Sequence, residues 1–157
     1  MMHSRFISER MRVKSMGASR DQFKRFFPIT TRWSDNDVYG HVNNVVYYSY
    51  FDTVANQYLI EEGGLDIEQS KEIAFVVNSS CDYFSPVAYP SALEGGLSVE
   101  HLGNSSVRYR IGIFEAGSSE ASAAGTFTHV FVTRATQKSC PIPDSIRTAL
   151  LKLTSDS

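Results

Sequence analysis

The chain has 157 residues, with 42% hydrophobic and 20% charged side chains and a formal net charge of −2. That length suits one domain with a real core, and the composition is that of a globular protein rather than a disordered one. The small negative charge gives no overall positive field for nucleic acid, and no stretch approaches the ~18 apolar residues of a membrane helix.

The charge is uneven along the chain. Residues 1–28 carry seven Lys/Arg against Glu9 and Asp21, and the remainder carries eight basic against fifteen acidic residues. All four methionines (Met1, Met2, Met11 and Met16) fall in the first sixteen positions. Residues 1–24 lack apolar periodicity and read as a basic, disordered leader, dispensable for fold and chemistry, ahead of a domain over 25–157. The leader has no continuous apolar core of a secretory signal, so an upstream start or an expression extension explains it better than a targeting peptide. Cys81 and Cys140 form neither a disulfide framework nor a metal spacing, which points to a reducing, cytoplasmic compartment.

Phe26 to Trp33 reads as a first strand, and the polar run Ser34–Asn44, with Gly40 at its middle, as a loop. Tyr47, Tyr50, Phe51, Val54 and Tyr58 then recur at the helical period, with apolar residues on much of the remaining circumference. The spacing predicts one long buried helix over Asn44–Glu61, stopped at Gly63-Gly64. Four β-rich runs follow: Ile73–Tyr83, Leu93–Leu102, Val107–Phe114 and Gly125–Thr133. In the third, Val107, Tyr109, Ile111 and Ile113 alternate with Ser106, Arg108, Arg110 and Gly112, the pattern of a half-buried strand. A last helix begins near Asp144 as its cap, with Ile146, Ala149, Leu150 and Leu153 on one face. The layout is α+β with an antiparallel sheet. One helix cannot cover both faces of five strands, so self-association is expected.

Familiar hydrolase signals are missing. The chain has no Gly-x-Ser-x-Gly elbow, no His-Glu-x-x-His and no phosphate-cradling glycine loop. The dense polar cluster is Asp35-Asn36-Asp37-Val38-Tyr39-Gly40-His41-Val42-Asn43-Asn44, just before the helix. By composition alone, capping and turn chemistry is the better reading of such residues. The setting also suits a reaction, because a helix start offers unpaired N–H groups and a partial positive charge beside a carboxylate.

That cluster, continued by Val45-Val46-Tyr47-Tyr48-Ser49-Tyr50-Phe51-Asp52, resembles the signature of the 4-hydroxybenzoyl-CoA thioesterase family: Asp-x-Asp-x-x-Gly-His-Val-Asn-Asn and a Tyr-rich helix. Weaker matches are Asp82–Val87 and Leu102–Tyr109, so that the resemblance spans roughly residues 26–152. It implies the hotdog fold, an antiparallel sheet of about five strands wrapped round one long central helix. It implies hydrolysis of an acyl-CoA thioester without metal or other cofactor, in a homodimer or dimer of dimers. Asp37 would be the catalytic carboxylate, as general base or nucleophile. Backbone N–H groups near Asn44 and Val45 would take the carbonyl, His41 would orient loop or substrate, and Asp35 would be structural. Some relatives act on acyl-carrier-protein thioesters and carry an Asn where this chain has Tyr39, which favours Asp37 over an Asn–His mechanism. Non-catalytic acyl-CoA binding and a dehydratase are the remaining alternatives. For the CoA phosphates the candidates are Ser105, Ser106, Arg108 and Arg134, with Arg110 on an exposed charged face.

Overall fold

The computed structural model describes residues 17–155. Its elements are β1 (Arg25–Thr30), α1 (Val46–Glu61), β2 (Glu72–Tyr83), β3 (Ala92–Leu102), β4 (Ser106–Glu115), β5 (Ala123–Thr133) and α2 (Asp144–Leu151). The strands form one sheet in the order β1-β3-β4-β5-β2, every pair antiparallel. With α1 packed on it, this is the hotdog arrangement that the sequence resemblance implies.

The alternation along β4 explains the layering. Val107, Tyr109, Ile111 and Ile113 are fully buried, whereas Arg108 between them is exposed. Phe51, Val54, Ala55, Tyr58 and Leu59 of α1 meet that face and complete the core. The larger of these, Phe51, Val54 and Leu59, each contribute roughly 1.5–3 kcal/mol by leaving water. The close approach requires Gly95 of β3, where a Cβ would stand 2.4 Å from Val54 Cγ2. The helix is not buried all round: Ser49, Asp52, Thr53 and Ile60 form an exposed stripe. Its end follows the expected glycine stop, with Gly64 at φ 73° and the Leu65 N–H returning to the Leu59 carbonyl at 3.0 Å.

The opposite face of the sheet corrects the expected domain start. Residues 1–16, the bulk of the expected leader, lie outside the described residues. Residues 17–24, assigned to the same leader, pack on the sheet. Phe23 lies over Gly96 and Gly112, where added Cβ atoms would come within 3 Å of its ring carbons, and meets Phe114 edge-on at 5.6 Å. Arg20 sits over the Phe26 and Phe114 rings at 4.7 and 4.9 Å and pairs with Glu94 at 2.8 Å. The packed body therefore includes residues 17–24, ahead of the expected start at 25. One aromatic ring and one stacked arginine anchor the segment, and so short an anchor produces no periodicity.

Smaller differences sit at element ends, where caps and tertiary contacts outweigh pattern. The first strand stops at Thr30, and Trp33–Asp35 form a 3-10 turn. The long helix begins at Val46, two residues past the expected start. Asp144 lies in the first turn of α2 instead of capping it. Among the described residues, no helix is long and apolar enough to cross a membrane.

Candidate active site

The polar cluster folds into a short loop between the 3-10 turn and α1. Asn36 and Val42 pair as an isolated antiparallel bridge. Between them Asp37–Gly40 makes a tight turn, closed by the Gly40 N–H on the Asp37 carbonyl at 3.0 Å. Gly40 then adopts φ 82°, the left-handed region that glycine enters without strain. The Asp37 N–H donates to the His41 carbonyl at 2.8 Å. This is a turn followed by a left-handed glycine, which reverses the chain over few residues. Two further bonds tie the loop to the 85–91 segment: Val42 N–H to Val87 O at 2.8 Å, and Tyr89 N–H to Asn36 Oδ1 at 3.0 Å.

The two aspartates of the cluster have different surroundings. Asp35 is 1% exposed. Its Oδ2 accepts from Tyr50 Oη at 2.7 Å and from the Arg32 N–H at 2.9 Å, and its Oδ1 from Arg32 Nε at 3.1 Å. Burial on its own would raise this carboxyl, but the hydrogen bonds from Tyr50 and Arg32 and the Arg32 charge hold it below the ordinary carboxylate value. Asp37 is partly exposed, and its Oδ1 accepts the Tyr39 N–H at 2.9 Å. Among the described residues, no protein donor reaches its Oδ2.

Asp37, His41 and Asn44 line one open cleft of about 400 Å³. Its other walls are Tyr39, Val42, Tyr47 and the Tyr83–Pro86 segment at the end of β2. Tyr83 meets Tyr47 edge-on at 5.1 Å and donates its hydroxyl to the Asn44 carbonyl at 3.1 Å. Burial pushes the Tyr47 phenol up to about 12 and the neighbouring Cys81 thiol up to about 11, so both stay protonated near neutrality. The Val45 N–H is already bonded to Asn43 Oδ1 at 3.1 Å, and Val45 is not part of the cleft wall. The Asn44 N–H has no protein acceptor among the described residues, which makes it the freer donor at the helix start. Sequence reading overlooked Tyr83, Phe84, Ser85 and Pro86 as cleft residues. The one signal for them was the Asp82–Val87 match to the same family.

The four CoA-phosphate candidates are not brought to this cleft within one chain. Tyr83, on the cleft, pairs with Ala123, whereas Ser106 pairs with Val130. Seven residues of β5 separate those points, roughly 23 Å at ~3.3 Å per residue. Ser105 and Ser106 sit at that far end, and Ser105 offers its carbonyl to the Phe131 N–H. Arg108 is paired with Glu100 at 2.9 Å. Arg134 donates Nε to Ser70 O at 3.0 Å and its Nη2 to Ile67 O, clamping the 67–71 loop. Among the described residues, no three His, Cys, Asp or Glu side chains gather as a metal site.

Comparison with known proteins agrees with this geometry. The thioesterase superfamily pattern matches residues 39–122, more than half the chain, and begins two residues past Asp37. The crystal structure of the PA5185 protein from Pseudomonas aeruginosa strain PAO1 is 55% identical with a TM-score of 0.87, covering 89% of this chain and 98% of that one. The gentisyl-coenzyme A thioesterase BH1999 shares the fold at 22% identity and a TM-score of 0.71, over 80% of this chain and 99% of its own. YsmA of Bacillus subtilis (strain 168) is 27% identical over 88 residues, 56% of this chain, and the chain spans 59% of YsmA's length. The chain belongs to the thioesterase superfamily, a family of enzymes that hydrolyse thioesters.

Proposed function

We propose that the cleft hydrolyses an acyl-CoA thioester to the free acid and CoA, with Asp37 as general base or nucleophile. The observation that carries this reading is the placement of Asp37 and Asn44 on one cleft, at a helix start where the Asn44 N–H has no protein acceptor among the described residues. A single hydrogen bond from the Tyr39 N–H fixes Asp37 Oδ1 and leaves Oδ2 for the reaction. The Asn44 N–H, at the positive end of α1, stabilises the oxyanion as the carbonyl is attacked. As general base, Asp37 takes a proton from water. The new C–O bond forms, the C–S bond breaks, and the proton passes to the departing thiolate. As nucleophile, an Asp37 oxygen bonds to the acyl carbon and the C–S bond breaks, CoA leaving as the thiolate; water then opens the mixed anhydride to the free acid, which regenerates the Asp37 carboxylate and gives a proton to the thiolate. His41, on the same wall, orients the loop or the substrate.

The active unit in this proposal is a homodimer with C2 symmetry. Among the described residues the outer edge of β2 is unpaired, and β2 carries no Lys, Arg or Pro to deter pairing. Phe75, Val76 and Val77 on it are 40%, 46% and 58% exposed. Val38 and Tyr39, at the cleft mouth, are also largely exposed. Such apolar surface beside a bare strand edge suits a second copy.

The test is turnover of a thioester panel followed with a thiol reagent, each acyl group offered on CoA and on acyl carrier protein. Release of CoA at micromolar KM, abolished by Asp37→Asn, is the expected result. Turnover confined to the carrier-protein esters would move the carrier assignment. Binding of acyl-CoA without release would make the protein a binder rather than a catalyst.

A further inference from the structure

Asp37 is held by a loop with two ends, and one buried residue ties both ends to the helix. The loop leaves the sheet side at Asp35 and rejoins the helix side at Asn43. The Asp35 carbonyl accepts the Asn43 N–H at 2.9 Å, so the two ends are bonded directly. The Asp35 carboxylate simultaneously accepts the Tyr50 hydroxyl of α1 at 2.7 Å. Tyr50 is 6% exposed, and its ring packs edge-on against the cleft residue Tyr47 at 6.0 Å. Asp37 lies two residues after Asp35, and Asn44 one residue after Asn43. The separation between the carboxylate and the free helix-start N–H is therefore set at Asp35.

From this arrangement we infer that the Tyr50–Asp35 hydrogen bond is a positioning device for the proposed reaction. It holds the Asp37 carboxylate in register with the Asn44 N–H, and it does not touch the substrate. The inference rests on the proposed role of Asp37. Its physical basis is that a reacting group misplaced by about 1 Å loses up to about a hundredfold in rate. The cluster contains a second anchor, Arg32, but its side chain is 71% exposed and it bonds Asp35 from the solvent side. Among the described residues, Tyr50 is the one side chain of α1 that hydrogen-bonds the Asp35 carboxylate.

A purely structural hydrogen bond makes a different prediction, and α1 contains the control. Tyr58, two turns further along α1, donates its hydroxyl to the Ala149 carbonyl at 2.6 Å in an equally buried setting away from the loop. Tyr50→Phe and Tyr58→Phe each delete one buried hydroxyl and keep the ring. Both are assayed with benzoyl-CoA and octanoyl-CoA at a temperature well below either variant's Tm. The expected result is that Tyr50→Phe lowers kcat about tenfold or more with KM within about twofold, whereas Tyr58→Phe lowers Tm and leaves kcat at the parental value. Asp35→Ala should lower kcat similarly, and the double variant Asp35→Ala/Tyr50→Phe should be little worse than Asp35→Ala alone, because the Tyr50–Asp35 bond is already lost in each single variant. Parental kcat in Tyr50→Phe, with Asp37→Asn inactive, overturns the inference and leaves the role of Asp37 intact. Additive losses in the double variant also overturn it. Near-parental turnover in Asp37→Asn itself removes the reading on which it rests.

Discussion

Two carboxylates stand two residues apart in the same loop and occupy opposite environments. At the Asp35 end the chain is buried, every carboxylate oxygen has a partner, and the charge is held on by Tyr50 and Arg32. At the Asp37 end the chain turns outward over an open cleft, with one oxygen bonded and the other unclaimed. The polar cluster thus divides its work between the two. A group that is buried and bonded on both oxygens inside the protein can fix geometry, and it is closed off from a substrate. A group with a free oxygen on a cleft contributes little to stability, and it is free to react.

The sharpest way to break this division is Asp37→Asn. The amide keeps an acceptor for the Tyr39 N–H, so the turn survives, but the negative charge is lost. Turnover on a responsive thioester is expected to fall roughly 10²–10⁴-fold, the usual worth of a positioned acid–base group. KM should move less than kcat, and Tm should hardly change. A variant with near-normal kcat would collapse the contrast and make His41 the next residue to test.

Asp35→Ala asks the opposite question. It strands the buried Tyr50 hydroxyl and the Arg32 N–H without an acceptor. The expected loss is about 2–4 kcal/mol in urea unfolding, because unsatisfied buried donors cost more than the bonds they made. Stability indistinguishable from the parent would show that water replaces the carboxylate.

Acid sharpens the comparison further. The Asp35 carboxyl is held below its ordinary value of 3.8 in the folded chain. A depressed carboxylate contributes stability that is present above the unfolded value and is lost as pH falls through the folded one. The parent should therefore lose more stability than Asp35→Asn as pH is lowered below about 4, read as urea midpoints. Equal slopes in the two proteins would mean that Asp35 has no linkage to folding.

The smallest effect is expected from Gly40→Ala. No neighbour lies within 4 Å of the added Cβ, so the cost comes from the backbone at φ 82° alone, about 1 kcal/mol. It falls on the Asp37 turn and not on the Asp35 anchor. Activity should decline more steeply than Tm, and the reverse order would place the glycine's role in the fold instead.

Much of this molecule was legible from spacing. The helix of Tyr47 to Tyr58 and the alternation of Val107 to Ile113 report which side chains leave water, and the five strands and long helix follow within a few residues. Asp37, His41 and Asn44 were found because they sit within eight residues of each other, so chain connectivity alone brings them to one cleft. The Tyr83–Pro86 wall was harder to see, because it is delivered by β2 from about forty residues away. Arg134, a phosphate candidate by residue type alone, donates in the fold to the Ser70 and Ile67 carbonyls, contacts that its place in the sequence does not reveal. Residues 17–24 failed for want of pattern, since Phe23 and Arg20 gain their meaning only from Gly96, Gly112 and Phe114.

Element order, the antiparallel α+β class and the position of the polar loop could be read from the residues alone, because local periodicity and contiguous motifs need no knowledge of what lies across the core. The tertiary structure decided which aspartate is buried and which is free. That choice depends on Tyr50, fifteen residues along the chain, whose hydroxyl reaches Asp35 only once α1 has packed against the sheet. Burial is a property of the folded neighbourhood, and two identical side chains separated by one residue acquire different chemistry only when that neighbourhood exists.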